Sequence, residues 1–329
     1  MRKKFLSWLL ALSMVIGLCP AMALPALAAD AAGSGVALPG AYTEEINLAD
    51  KDSDVEIGAA GFYLLHGTKA GISVRVTTAE EITLVLNSVN LSNAVSPVQL
   101  CDGAKVTLVV MDGTTSSLSC TATELNATNS GKTAGILVPE TASLTIDRAS
   151  TETGTGTLSV QGGYGGAGIG ASGVAGYTEV RNNKGGNGGY WGNGGWNPNN
   201  GGQGGRNGID APAAGSVTIN SGVLAVTGGN GGAGIGGGMG AAGETGTNGG
   251  HGAYQYIGGY NYSGHFGSGG GGGGAGGNGG RGGNGGTVTI NGGTVNVTGG
   301  RFTYERYSKV VTVEPAGIGG GSGGIGGIG

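Results

Sequence analysis

Charged and aromatic residues are scarce in this sequence of 329 residues. Charged side chains make up 11% of it and aromatic side chains 5%. Lys and Arg number 16 against 20 Asp and Glu. Without residues 1–28, which have the features of a cleaved signal peptide and contain Arg2, Lys3 and Lys4, 13 basic residues remain and the net charge is −7. Nucleic-acid-binding proteins neutralise phosphates with Lys and Arg, so nucleic acid is not predicted as a partner.

Residues that could perform catalysis are sparse as well. The acidic residues after position 152 are widely spread, so they do not predict the paired carboxylates of a hydrolase. The three histidines, His66, His251 and His265, have neither a metal-binding spacing nor a nearby nucleophile. The sequence therefore predicts a protein that is not an enzyme and has no catalytic residues and no cofactor, apart from the calcium considered below.

The first 28 residues have the features of a secretory signal peptide. A basic start, MRKK, precedes an apolar run over 5–23 and the small-residue exit Ala26-Leu27-Ala28. No other stretch is apolar enough to span a bilayer. We therefore expect a secreted, extracellular protein, with association to the cell surface as one form of that location.

Cysteine is nearly absent from the mature chain. Cys19 leaves with the leader, and Cys101 and Cys120 remain. An exported protein can form a disulfide, but these two residues fall on different strands and corners of adjacent turns. Two buried free thiols are therefore favoured.

One phrase is repeated three times along the chain. Residues 143–170 contain SLTI, TLSVQGG and AGIG, and the same order recurs in 216–236 and 287–319. Three short strands in fixed order, with a period of about 20 residues once insertions are removed, are typical of a parallel β-solenoid. Extended upstream, the pattern predicts an all-β parallel β-helix of about six turns, the first with strands at 55–57, 62–65 and 72–76. Stacking in register predicts one buried aliphatic ladder: Ile72, Val98, Ile136, Ile169, Ile235 and Ile318.

Glycine is abundant, at 81 residues, and is concentrated in two insertions that leave the end of the third strand. In both insertions glycine recurs in triplets, as in AGG-NGG-RGG-NGG over 275–286. This period favours polyglycine II rods that lie side by side with bare backbone inside, and a flexible linker is the alternative. The polar side chains expected to point outward are Asn187, Asn193, Asn278, Arg281 and Asn284. The resulting division is a signal peptide (1–28), a polar lead-in (29–54), N-terminal turns (55–170), a Gly-rich aromatic insertion (171–215), a turn (216–236), a second such insertion (237–286), and a last turn with a Gly-rich C-terminus (287–329).

Aromatic residues are concentrated in the same two insertions. Flat rings on a polar scaffold stack on the apolar faces of sugars, while Asn side chains bind hydroxyl groups. A polysaccharide or cell-surface glycan is therefore the predicted partner. The alternative is that the rings only pin the insertions to the solenoid. The predicted carbohydrate-binding residues are Tyr190, Trp191, Trp196, Tyr254, Tyr256, Tyr260 and Tyr262.

Residues 58–170 resemble a known family. The succession GAAGFYLLHGTKAGISVRV, EITLVLNSVNLSN, SPVQL, KVTLVVMDGTTSSLS and AGILVPETASLTI is similar to the secreted bacterial right-handed β-helix carbohydrate-binding domain, a relative of the pectate-lyase solenoids. The downstream AGIGGG repeats resemble Gly-rich surface proteins of Gram-positive gut bacteria. The resemblance implies calcium and acidic plant polysaccharide as ligands, although acidic residues are sparse in the later turns of this chain.

Asp50, Asp52 and Asp54 form the one local cluster of carboxylates that could bind calcium. As an EF-hand the segment fails, because Val55 occupies the position of the required glycine and Gly61 that of the bidentate glutamate. A solvated polar lead-in that caps the open end of the solenoid is the favoured alternative.

Two functions of different classes are compatible with the sequence. The first is a non-catalytic, adhesin-type β-helix that binds carbohydrate through its aromatic insertions or an exposed face. The second is a structural spacer or stalk at the cell surface, without a small ligand. The oligomeric state is left open.

Overall fold

The computed structural model describes residues 35–149, 156–176, 203–248, 254–259, 262–267, 273–306 and 308–327. These residues form 22 strands, and their one helix is the 3₁₀ helix η1 (Leu48–Asp50). No helix among them is long and apolar enough to cross a membrane. In chain order the strands are β1 (Glu44–Asn47), β2 (Val55–Ile57), β3 (Gly61–Ala70), β4 (Val74–Val76), β5 (Glu81–Asn93), β6 (Val98–Leu100), β7 (Lys105–Val110), β8 (Thr115–Cys120), β9 (Ile136–Leu137), β10 (Ser143–Asp147), β11 (Thr157–Gln161), β12 (Ile169–Gly170), β13 (Ser216–Ile219), β14 (Val223–Asn230), β15 (Ile235–Gly236), β16 (Tyr254–Gly259), β17 (Tyr262–Gly267), β18 (Val288–Ile290), β19 (Thr294–Gly300), β20 (Phe302–Arg306), β21 (Lys309–Val313) and β22 (Ile318–Gly319).

Parallel pairing arranges most strands on three faces. Face A contains β1, β7, β10, β13, β18 and the first halves of β3 and β5; face B contains the second halves of β3 and β5 with β8, β11, β14 and β19. Face C is the seven-stranded sheet β2-β4-β6-β9-β12-β15-β22. The corner between A and B lies within β5, where Ser88 adopts a φ of 56°. The chain visits A, B and C in repeated order, so it winds as a parallel solenoid, as the repeats predicted.

The prediction assigned two strands of the first turn to the wrong faces. Residues 55–57 form a face C strand paired with β4, whereas 62–65 lie on face A beside β5. Face C therefore has seven strands, one more than the six predicted turns provide. The additional turn comprises β1, η1 and β2, and it buries Ile46 and Leu48 in the core. Residues 44–54, expected to be a polar lead-in, thus contribute apolar side chains to this end of the solenoid.

The aliphatic ladder on face C is present, with one correction. Val98, Ile136, Ile169, Ile235 and Ile318 are paired in register across successive strands. Val74, not Ile72, continues the row, because it pairs with Val98 and in turn with Val55. Ile235 is fully buried, whereas Ile318 in the last strand is 44% exposed because no further strand covers it among the described residues.

Four glycine-rich segments pack against one another beside the solenoid. We name them rod 1 (203–214), rod 2 (237–247), rod 3 (273–286) and rod 4 (321–327), and together the glycine bundle. Every third amide of rod 1 from Gly205 to Ala214 donates to every third carbonyl of rod 3 from Ala275 to Asn284, over 2.7–3.0 Å. Rods 2 and 3 are joined at the same interval in the antiparallel sense, as are rods 3 and 4.

Glycine is required where these backbones touch. A Cβ at Gly277 would overlap the Arg206 carbonyl oxygen, and one at Gly280 would overlap the Ile209 carbonyl oxygen. Between residues 275 and 284 of rod 3, every third position is exposed, so Asn278, Arg281 and Asn284 face outward as expected. Asn187 and Asn193 lie outside the described residues.

The segment 35–42 crosses the outside of face A. Its Val36, Leu38 and Tyr42 pack against an apolar row that includes Val85 and Val109. The Val36 amide also donates to the Arg148 carbonyl over 2.8 Å. This segment, named the strap, covers that apolar row on the outside of the first turns.

Candidate functional site

The aromatic residues selected from the sequence are only partly described. Tyr190, Trp191, Trp196 and Tyr260 lie outside the described residues. Tyr254, Tyr256 and Tyr262 lie in an antiparallel hairpin formed by β16 and β17. In its register Tyr256 is opposite His265, and Tyr262 is opposite Gly259.

We name residues 177–202 and 248–272 the aromatic segments; backbone that follows the first and backbone on both sides of the second meets at one end of the glycine bundle. Thr247, at the end of rod 2, accepts a hydrogen bond from the Gln203 amide and donates its own amide to the Gln203 carbonyl, over 2.7 and 2.9 Å. Gly274, at the start of rod 3, donates to the Thr247 carbonyl. The backbone that follows the first aromatic segment therefore meets the backbone on both sides of the second.

An ion pair joins rods 1 and 2 near this end. Arg206 Nε donates to Glu244 Oε2 over 2.8 Å, and a second guanidinium nitrogen contacts Oε1. The Arg206 amide also donates to Oε2 over 3.1 Å. A planar guanidinium with two contacts to one carboxylate fixes orientation better than a single charge contact, so the pair orients the two rods.

The three carboxylates considered for calcium each have a different partner. Asp50 Oδ2, at the last residue of the 3₁₀ helix, accepts from Nδ2 of the N-cap residue Asn47 over 2.8 Å. Asp52 lies 3.4 Å from Lys69 Nζ, and Asp54 accepts from the Ser73 amide over 2.8 Å. Among the described residues no three His, Cys, Asp or Glu side chains are grouped to hold a metal ion. Calcium stays a prediction from the resemblance.

Cys101 and Cys120, the cysteines in the described part of the chain, are free thiols. Cys120, on face B, is buried, whereas Cys101, after the face C strand β6, is half-buried. Burial raises the pKa of the Cys120 thiol, and its backbone hydrogen bonds with Ala122 and Gly163 oppose the shift. The expectation of free thiols is met, and burial holds fully for Cys120 only.

A row of threonines on face A was not selected from the sequence. Parallel pairing in register places one threonine of each of five successive strands side by side. The first four are half-buried, and the last is exposed. We name this set the threonine row; its members are Thr83, Thr107, Thr145, Thr218 and Thr289.

The surroundings of the threonine row differ along its length. Phe62 is in register with Thr83 and continues the row at the N-terminal end as a half-buried aromatic. On one side lies the row that the strap covers. Beyond Val109, the row under the strap continues as the polar residues Asp147, Asn220 and Asn291. Asn220 donates to the buried Asp147 over 2.9 Å and accepts from Asn291 over 2.8 Å.

A signal for the threonine row is visible in the sequence. Each of these strands has threonine between two aliphatic residues, as in EITLV, KVTLV, SLTID, SVTIN and TVTIN. The aliphatic positions identified the strands, but the polar position between them was not considered as a surface. Its regularity becomes apparent only once the register is known.

Two family models match parts of the chain. Residues 51–174 match a model described as a carbohydrate-binding domain-containing protein. Residues 288–322 match a β-helix repeat. Both matches are consistent with a β-helix carbohydrate-binding family, and the first includes the face A strands β3, β5, β7 and β10. Comparison with curated proteins and with solved structures found no match.

Proposed function

We propose that this protein is an extracellular carbohydrate-binding β-helix of the adhesin type, without catalytic activity. The observation that carries the proposal is the match of residues 51–174 to a carbohydrate-binding domain model, on a chain folded as a parallel solenoid. The signal-peptide pattern of residues 1–28 supports secretion. The wide spacing of acidic residues after position 152 supports a role in binding and not in catalysis.

The glycine bundle is proposed to consist of polyglycine II rods that present the aromatic segments. Hydrogen bonds at three-residue intervals support this assignment, because an extended helix with three residues per turn directs every third amide the same way. The contact between residues that flank both segments, Gln203 and Thr247, supports one composite surface. Its proposed members are Trp191, Trp196, Tyr256 and Tyr260. Each stacked ring would contribute on the order of 1 kcal/mol, so useful binding would depend on multivalent contact with a polymer.

A glycan array with the mature protein, with and without calcium, tests the proposed function. We expect binding to polysaccharides with weak affinity per site. Replacing Trp191 and Trp196 with Ala should reduce retention on a column of the bound polysaccharide, with circular dichroism as the control for folding. Absence of binding to every glycan in both conditions would reject the proposal and favour the second function.

The second function is a structural spacer at the cell surface. It is favoured by the glycine bundle itself, because hydrogen-bonded backbone with a bidentate ion pair, Arg206 to Glu244, stiffens segments that would otherwise be flexible. A spacer would bind no glycan, yet its bundle would be equally ordered. Binding on the array therefore separates the two functions, whereas order of the bundle does not.

A further inference from the structure

We propose that the threonine row on face A is a binding site for a neutral, extended polysaccharide whose chain runs along the solenoid axis. The inference rests on the proposed carbohydrate-binding function and assigns it a site on the solenoid, separate from the aromatic insertions. Three members, Thr83, Thr107 and Thr145, lie within the segment that matches the carbohydrate-binding domain model.

The composition of the row differs from that of the other outward rows. On face B, Thr115 and Thr157 are followed in register by Val223, so that row loses its hydroxyl at the third strand. The row that contains Ser117 and Ser159 changes to Ala225 in the same strand. The preference of strands for threonine applies equally to both faces. It therefore does not explain why, among the described strands, the face A row alone keeps threonine in five successive strands.

The hydroxyl groups of the row are available to a ligand. Within the described part of the chain, no hydrogen bond involves the hydroxyls of the five threonines. Other threonine hydroxyls do have partners; Thr77 donates to the Ile57 carbonyl and Thr114 to the Met111 carbonyl. Each hydroxyl of the row can both donate and accept, which is the pairing that a sugar hydroxyl requires.

The spacing and the length of the row match an extended polymer better than a single sugar. Adjacent strands are about 4.8 Å apart, so five threonines span about 19 Å along the solenoid axis. A polymer whose sugars advance by a similar distance presents hydroxyl groups at the same interval. A single sugar would contact one or two threonines, whereas an extended chain would contact all five.

The charges beside the row determine which class of polymer it would bind. The row itself carries no charged side chain, and the flanking Glu81 and Lys105 are register neighbours of opposite charge on adjacent strands. The buried carboxylate of Asp147 is already occupied by Asn220 and Ser221. A neutral polymer is therefore preferred to an acidic one, and Phe62 at the N-terminal end supplies a ring on which a sugar can stack.

The decisive variant removes three hydroxyl groups without changing side-chain shape. We would combine Thr107→Val, Thr145→Val and Thr218→Val in the mature protein and measure affinity electrophoresis in gels containing xylan, β-glucan or galactomannan. Polygalacturonate serves as the acidic probe. We expect at least tenfold weaker binding to the neutral polymer that the wild-type protein binds best, and weaker binding of the wild-type protein to polygalacturonate.

A matched control places the same substitutions on the other face. Thr115→Val, Thr157→Val and Thr294→Val change one outward row of face B, where Val223 already occurs naturally. This control should bind like the wild-type protein, and the triple serine variant of Thr107, Thr145 and Thr218 should retain most binding. Thermal melting of all variants identifies any loss caused by unfolding, and in that case the single variant Thr145→Val is measured instead.

The outcomes separate this inference from the proposed function. Unchanged binding by the face A variant, with binding lost on replacing Trp191 and Trp196 by Ala, would overturn the threonine row and leave carbohydrate binding intact. Equal losses on faces A and B would also overturn it. Absence of any glycan binding by the wild-type protein would overturn both. Affinity for oligosaccharides of the bound polymer should rise with length until the chain spans the row.

Discussion

At the scale of single residues, the solenoid depends on side chains that occupy equivalent positions in successive turns. Ile169 is fully buried between Ile136 and Ile235, which are its register partners on either side. Burying an aliphatic side chain of this size contributes about 1.5–3 kcal/mol. Each internal residue of the ladder contacts a neighbour on both sides and therefore holds two pairs of turns together. The last position, Ile318, has one neighbour and remains half in solvent.

Replacing Ile169 with Asp should destabilise the solenoid strongly. Loss of the side chain costs about 2–5 kcal/mol, and burying an unpaired carboxylate adds to that cost. The matched control is Ile318→Asp, which we expect to cost at most about 1 kcal/mol because that position is exposed. Urea unfolding measures both values, and equal losses for the two variants would contradict the register.

The Cys120 thiol should make stability depend on alkaline pH. Burial raises its pKa above the ordinary value of 9.0, so the folded chain keeps this proton where the unfolded chain has lost it. Its contribution is therefore constant below about pH 9 and falls as the pH rises further. The unfolding free energy measured from about pH 8 to about pH 10 should fall more steeply for the wild-type protein than for Cys120→Ala. Parallel curves would show that this thiol ionises freely in the folded state.

At the scale of elements, the glycine bundle shows how backbone alone can form a packed structure. Rod 3 is hydrogen-bonded to rods 1, 2 and 4 at three-residue intervals, and Gly274, Gly277, Gly280 and Gly283 occupy positions where no Cβ fits. Such density of glycine costs backbone entropy, which the hydrogen bonds and close packing between rods must offset. The Arg206–Glu244 pair adds the one charged contact between rods 1 and 2 seen in the described residues.

Replacing Gly277 with Ala should loosen the bundle. The added Cβ overlaps the Arg206 carbonyl, and we expect a loss of about 1–3 kcal/mol, as for other overpacked sites. Tryptic cleavage after Arg206 and Arg281 should become faster. Asn278→Ala, at the adjacent outward position, is the control and should change stability by less than about 0.5 kcal/mol. Equal cleavage rates for both variants would mean that the rods do not pack in this way.

At the scale of the whole molecule, the two ends of the solenoid differ. The N-terminal end is closed by β1, η1 and β2, with Leu48 fully buried. At the other end Ile290 and Ile318 are each 44% exposed. The strap lies over face A alone, so the outer surfaces of the three faces are not equivalent, and the threonine row is the regular polar surface beside it.

The sequence by itself determined the solenoid, the face C ladder from Val98 to Ile318 and the outward residues of rod 3. Each of these follows from a local period, of two in strands and three in rods, and a period can be read along the chain. The tertiary structure decided that Val74 replaces Ile72, that rods 1 to 4 share one bundle, and that five threonines from separate turns form one row. These features depend on which segments pair and in what register, and pairing between distant segments is set by packing that no local pattern contains.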